Sequence, residues 1–264
     1  MKLSIITICY NEKQIRRTCE SIVNQSWQDF EWIVVDGGST DETLDILRDY
    51  KDRIDVLISE KDNGVYDAMN KGIKKASGEW LSFMNGGDSF YSSDVLKKTF
   101  GSSQNFDTGI LYGSTYTPEK EKFRKYPKKL DRLYFIGKNI NHQSTFIRRN
   151  LFEKYGLYDD KMKIAADFDK WCQFMTNGEK FQSLNFCVAA NDLLGISSNP
   201  KYREIQEREY QTAIERNYTA KDLKRHRSKQ RWSLKTFGKI IKAYTLFPWY
   251  IYQIYSNMEI RKKY

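Results

Sequence analysis

Two apolar runs that each end in a turn of carboxylates and glycines constrain this chain more than any other feature. Phe30–Val35 is closed by Asp36-Gly37-Gly38-Ser39-Thr40-Asp41, and Trp80–Met84 by Asn85-Gly86-Gly87-Asp88. Ahead of both, the β-branched run Leu3–Ile8 reads as a strand buried on both faces, broken by Tyr10-Asn11-Glu12. Ile15, Cys19, Ile22 and Val23 then fall on one helical stripe. Thr40-Asp41-Glu42 opens a second helix with Leu44, Ile46 and Leu47 inward, its acidic first turn complementing the helix dipole. Ile54–Ser59 reads as a strand and Val65–Ala76 as a helix. Strand and helix alternate every ~20–30 residues, which predicts a mostly parallel, doubly wound α/β sheet with right-handed crossovers. Ligands of such a sheet bind outside the carboxyl ends of its strands, so both acidic turns point at one crevice.

Beyond Asp88 the rhythm changes. The pattern predicts a short helix from Ser93-Asp94 to Phe100, a strand over Ile110–Tyr116, and a charged loop over Glu119–Lys129. A strand over Gln143–Ile147 follows, then a short helix closed by Gly156. Ala165–Met175 reads as a helix, Lys180–Ala189 as a strand and Tyr202–Asn217 as a long polar helix. Residues 1–200 are expected to form the catalytic domain and 201–264 a helical, basic tail.

The net charge of +10 would ordinarily suggest nucleic acid or membrane, and its location decides between them. Residues 221–264 hold 12 of the 44 Lys/Arg and 2 of the 34 Asp/Glu, which leaves 32 of each sign in residues 1–220. The body has no basic bias, and no aromatic stacking module or zinc spacing appears, so no nucleic-acid partner is expected. In the tail, Leu234, Phe237, Ile240, Ile241 and Tyr244 share one helical face and Lys235, Lys239 and Lys242 another, ahead of Trp249–Tyr255 and Arg261-Lys262-Lys263. A basic amphipathic stretch with aromatics reads as lying in a membrane interface, each basic residue worth about 1 kcal/mol near an anionic leaflet. The alternative is a helix packed on the body or on a second subunit. Cys9, Cys19, Cys172 and Cys187 show no metal-ligand spacing and read as free thiols of a reducing compartment. No window reaches the ~18 apolar residues of a spanning helix. The expected location is cytoplasmic, peripheral on the inner face of the cell membrane.

Neither GxGxxG nor GxxxxGK[ST] is present, which disfavours a dehydrogenase-type dinucleotide site and excludes a P-loop. Asp36, after a buried strand, can accept from a base N–H or ribose hydroxyls, or can simply shape a tight turn. Asn85 and Asp88 offer the oxygen ligands that Mg²⁺ or Mn²⁺ takes, alongside substrate phosphates. Asp167 and Asp169, at i and i+2 near a helix start, cannot share one helix side, so one is expected to cap the helix while the other reaches the crevice as a general base. His142 is either a structural hydrogen-bonder or a substrate contact; His226 is one more polar residue of the tail.

Together, Ser4–Glu12, Val35–Asp41, Asp62–Gly72 and Ala76–Glu79 resemble the inverting family 2 glycosyltransferases of the GT-A (Rossmann-like) fold, over about residues 1–200. The Tyr66-Asp67-Ala68-Met69-Asn70 helix is most similar to the branch that builds colanic-acid-type and other bacterial surface polysaccharides. The resemblance implies a UDP- or GDP-sugar donor held by Thr7, Tyr10, Asn11, Glu12, Asp36, Asp62, Gly64, Asn70 and Asn85, with Mg²⁺ or Mn²⁺ on Asp88. Asn85, Gly86 and Gly87 replace the other members of the family's Asp-x-Asp cluster. Asp167 falls at the position of the catalytic base, with Asp169 as the alternative and Ala166 where the family has Glu. Tyr66, His142 and Gln143 are expected contacts of the sugar or of a saccharide acceptor, lipid-linked if the tail lies on the membrane, and Gly195-Ile196-Ser197-Ser198 resembles a loop that closes over the site. Two rivals remain open from sequence: a catalytically inactive nucleotide- or glycan-binding module, and a nucleotidyltransferase on a similar sheet.

Overall fold

A computed structural model describes residues 2–102, 105–191 and 199–229. The first half of the chain runs β1 (Leu3–Cys9), α1 (Ile15–Val23), β2 (Phe30–Asp36), α2 (Thr43–Arg48), β3 (Val56–Ser59), α3 (Val65–Lys75) and β4 (Trp80–Phe83). β5 (Ser89–Phe90), α4 (Val95–Phe100), β6 (Ile110–Thr117) and β7 (Lys122–Arg124) come next. β8 (Thr145–Arg148), α5 (Asn150–Tyr155), α6 (Ala166–Thr176), β9 (Phe181–Ala190) and α7 (Arg203–Asn217) complete the order.

The strands form one sheet in the order β3-β2-β1-β4-β8-β6-β9-β5, with β7 added on β6. β1 to β4 are parallel, as the βαβ rhythm requires. β8 then enters antiparallel between β4 and β6, while β9 runs parallel to β6. β1 is buried along its whole length, which explains its β-branched, mostly apolar reading. Phe100 anchors the core edge-on to Phe146 at 5.1 Å and tilted on Trp80 at 6.1 Å.

Two short elements escaped the sequence. β5 has only two residues, and β7, inside the expected charged loop, is exposed at all three positions, so neither carries an apolar pattern. The chain groups into Met1–Asn217 and Tyr218–Tyr264. α7, placed in the tail by the sequence reading, thus belongs with the first unit. Within the second, residues 220–229 are helical, opened by Thr219 and Asp222 capping one another. The loop Gly195–Ser198 and the amphipathic stretch beyond residue 230 lie outside the described residues.

Candidate active site

Both acidic turns meet at the end of β1. Gly37 N donates to Cys9 O and Gly86 N to Ile8 O, so each turn extends the parallel pairing past its own strand. A Cβ on Gly86 would lie 2.7 Å from Glu12 Cγ, so glycine lets the β4 turn approach the β1 loop. Gly87, at φ 88°, reverses the chain toward Asp88 in a conformation that other residues adopt only at a cost. The result is a cleft of about 870 Å³ walled by the carboxyl ends of β1, β4, β6 and β9, the start of α3, residues 137–143, and parts of α6 and α7.

Two consecutive residues bridge the site's principal carboxylates. Gln143 Nε2 donates to Asp88 Oδ2 at 2.9 Å, and its neighbour His142 places Nδ1 3.1 Å from Asp167 Oδ2. On the other edge of the imidazole, Nε2 lies 3.0 Å from the Asn85 amide nitrogen. A carboxylate accepts and an amide nitrogen donates, so Nδ1–H donates to Asp167 Oδ2 and Nε2 accepts from Asn85 Nδ2. Asp167 Oδ1 also accepts from Tyr66 OH at 3.0 Å and from Phe168 N at 2.8 Å. Burial, and then the Asp167 charge, push the Tyr66 phenol well above its ordinary range, which keeps it a donor.

Ten of the expected site residues line this cleft: Tyr10, Glu12, Asp62, Gly64, Tyr66, Asn85, Asp88, His142, Gln143 and Asp167. The others stand behind it. Thr7 is fully buried and accepts from Trp32 Nε1 at 3.0 Å. Asp36 spends its carboxylate on the turn that follows it, accepting from the backbone of Gly38 and Ser39 and from Ser59 Oγ. Asn11, at φ 48°, accepts from Thr40 N while its own N–H donates to Ser39 Oγ, locking the β1 and β2 loops together. Asn70 pairs through both amide atoms with the backbone of Tyr158, whose ring lies 5.5 Å from that of Tyr66. Asp169 faces away from the cleft: Arg216 Nη1 donates to Oδ2 at 3.0 Å and Asn217 Nδ2 to Oδ1 at 2.8 Å.

Sequence reasoning missed a second wall. Arg124, Lys138, Asn139, Lys163, Asn191, Gln206 and Tyr210 also line the cleft. Arg124 is fixed there, donating to Asn141 Oδ1 and Asn139 O. The spacing of Gln206, Tyr210 and Ile214, four apart, could have flagged an inner helix face, but the helix is polar all round and hid it.

Among the described residues no group of three or more His, Cys, Asp or Glu gathers to hold a metal by itself. Asp88 is still a fitting anchor for a cation that keeps waters and takes substrate oxygens. Beside it, Asn85 Oδ1 is a buried oxygen without a hydrogen-bond partner, a hard donor of the type Mg²⁺ or Mn²⁺ uses.

Residues 4–165 match the profile of glycosyl transferase family 2. A PGL/p-HBAD biosynthesis glycosyltransferase of Mycobacterium tuberculosis is 37% identical over 212 residues, covering 78% of this chain and 82% of the relative. An uncharacterized glycosyltransferase of Methanocaldococcus jannaschii is 26% identical over 198 residues, 68% of this chain and 66% of its own length. Among solved structures, S. aureus TarS 1-349 in complex with UDP-GlcNAc superposes with a TM-score of 0.66 at 20% identity, over 81% of this chain and 66% of that one. A mannosyltransferase from Pyrobaculum calidifontis in complex with GDP-Man and Mn²⁺ gives a TM-score of 0.59 at 14% identity, over 98% of this chain and 84% of that one. These likenesses carry the GT-A-like fold, and the sequence match carries the family: this chain belongs to glycosyl transferase family 2 and is a glycosyltransferase.

Proposed function

We propose that the cleft transfers a sugar, with inversion, from a UDP- or GDP-sugar to a hydroxyl of a saccharide acceptor carried on a lipid, in the assembly of a bacterial surface polysaccharide. The observation that supports this best is the His142-Gln143 bridge, which holds a leaving-group carboxylate and a base carboxylate in one cleft. Relatives whose names or complexes concern PGL/p-HBAD biosynthesis, UDP-GlcNAc, GDP-Man and Mn²⁺ support the donor and cation classes.

In this reading Asp167 Oδ2 takes the proton of the acceptor hydroxyl. The freed oxygen forms its bond to the anomeric carbon from the face opposite the nucleotide, and the bond to the diphosphate breaks with its electrons on the phosphate oxygen. One displacement inverts the configuration. His142 and Tyr66 orient the base, so His142 is a positioning residue before it is a sugar contact. Tyr10, 62% exposed at the cleft, offers a ring face to the nucleobase, and Glu12, Asp62 and Gly64 border the same side. Asp36 and Asn11 serve this pocket by holding its loops, Thr7 by tying β1 to β2 and Asn70 by tying α3 to the backbone at Tyr158. Mg²⁺ or Mn²⁺ would be held by Asp88 with Asn85, and when bound it supplies charge neutralisation to the departing diphosphate. The tail, residues 221–264, would bring the domain to the membrane surface where a lipid-carried acceptor resides.

The test is thermal unfolding against UDP, GDP and a panel of their sugars, with Mn²⁺ and with chelator. A ligand at 100 times its Kd stabilises the native state by about 2.7 kcal/mol. A transition that no nucleotide or nucleotide sugar moves would sink the donor reading.

A further inference from the structure

We infer that Glu209, on α7 and beyond the family-matched residues, is a positioning residue for Asp167. Its carboxylate accepts three consecutive backbone N–H groups: Lys163 at 2.8 Å, Ile164 at 2.9 Å and Ala165 at 3.0 Å. These residues enter α6, whose second residue is Asp167. The α6 N-cap is Ala165, which has no side chain to satisfy the free donors of a helix start. A helix start is also the positive end of the helix dipole, so the carboxylate supplied from α7 satisfies the N-cap N–H of Ala165 and places negative charge at that end.

The grip continues past the base. The Tyr210 ring lies on Phe168, centroids 4.3 Å apart, and Arg216 and Asn217 hold the two oxygens of Asp169. α7 thus fixes the backbone at 163–165 and the side chains at 168 and 169, on either side of the α6 carboxylate that faces the cleft. The same helix presents Gln206, Tyr210 and Ile214 to that cleft. At its start α6 has the local bond from Phe168 N to Asp167 Oδ1, and α7 adds the hold on residues 163–165, so the placing of Asp167 leans on a helix about forty residues downstream.

The inference rests on Asp167 being the base, and the experiment separates the two ideas. The measured quantity is UDP or GDP release from the nucleotide sugar giving the largest thermal shift, with water as acceptor, for the full chain. Glu209→Ala is expected to lower kcat about 10–100-fold, the cost of a misplaced catalytic group, with donor KM within about threefold. Glu209→Gln, which keeps an accepting oxygen, is expected to restore most of that loss. Wild-type kcat in Glu209→Ala, or loss of kcat and donor affinity together without rescue by Gln, overturns the inference. Should Glu209→Ala fail to fold, Glu209→Asp, whose carboxylate is one methylene shorter, carries the test with the same kcat-selective expectation. Asp167→Asn is measured alongside. If it retains turnover the base reading fails; if it is inactive while Glu209→Ala is normal, only the role of Glu209 fails.

Discussion

Replacing Asp167 by Asn puts a donor where three donors converge, and the structure allows the consequence to be worked through. Oδ1 receives Tyr66 OH and Phe168 N, while Oδ2 receives His142 Nδ1. The new amide keeps its oxygen toward Tyr66 and turns its NH₂ toward His142. His142 then has to accept at Nδ1 and carry its proton on Nε2, which faces the Asn85 amide nitrogen at 3.0 Å. Rotating the Asn85 amide brings its unpartnered Oδ1 to that proton, and the network closes again. The stability cost is then limited to exchanging charge-assisted bonds for neutral ones, about 1–2 kcal/mol. The chemistry has no such escape, because an amide cannot take the acceptor proton. Loss of a general base lowers the rate about 10²–10⁴-fold, or about 2.7–5.4 kcal/mol of barrier. Nucleoside diphosphate release reads the rate, and a denaturant melt reads the fold. Turnover within tenfold of wild type, in a variant that unfolds at nearly the same denaturant concentration, would refute the assignment.

Two further outcomes follow from particular contacts and a third from the charge of the tail. Gly78→Ala sets a Cβ 2.6 Å from Ser4 N, a backbone atom with no room to yield, so we expect a loss of about 1–3 kcal/mol in chemical denaturation; an unmoved midpoint would contradict that packing. Burial pushes the Glu31 carboxyl up, but bonds from Ser4, Ser77 and Gly78 outweigh it and hold it below its ordinary 4.5. A lowered folded-state value means stability that is present above about pH 4.5 and lost as pH falls through the folded value, so Glu31→Gln should flatten that acid limb, and an unchanged slope would show that Glu31 does not set it. Deleting residues 221–264 is expected to move the protein from membrane to soluble fractions without loss of donor binding, and unchanged partition would remove the tail from the membrane reading.

The parallel half of the sheet was legible because each of its units repeats one physical pattern. β1, β2 and β4 are buried on both faces and read as mostly apolar, β-branched and aromatic runs, and α1 buries the stripe Ile15, Cys19 and Ile22. The crevice followed from that pattern, since parallel strands align their carboxyl ends. Direction was less legible in the second half, because a short strand such as Thr145–Arg148 reads the same whether it pairs parallel or antiparallel. Partnership was hidden for the same reason. Nothing in the residue types separates Asp167, which faces the cleft, from Asp169, which is bound by Arg216 and Asn217. That difference depends on α7 packing, a contact across almost fifty residues. Asp36 shows the other side of the same point: its residue type and strand-end position suit a ligand, and the fold also uses its oxygens to hold the turn, through Gly38, Ser39 and Ser59.

The reversal of β8 explains why one short turn can serve two carboxylates. β4 points its carboxyl end at the crevice and carries Asp88 just beyond it. β8 pairs with β4 antiparallel, Trp80 against Arg148 and Leu81 against Ile147, so it is the start of β8 that lies beside the end of β4. His142-Gln143-Ser144 is the single helical turn immediately ahead of that start. A parallel β8 would have carried the turn to the opposite edge of the sheet, away from Asp88 and Asp167 alike. β6 and β9, parallel to each other and antiparallel to β8, return their carboxyl ends to the crevice and bring Thr115, Thr117 and Asn191 to its wall. Asp88 reaches the cleft from a parallel strand and Asp167 from a helix more than seventy residues later, so their spacing is not fixed by local sequence. His142 and Gln143, adjacent on one turn, tie the two together, each bonding one of them.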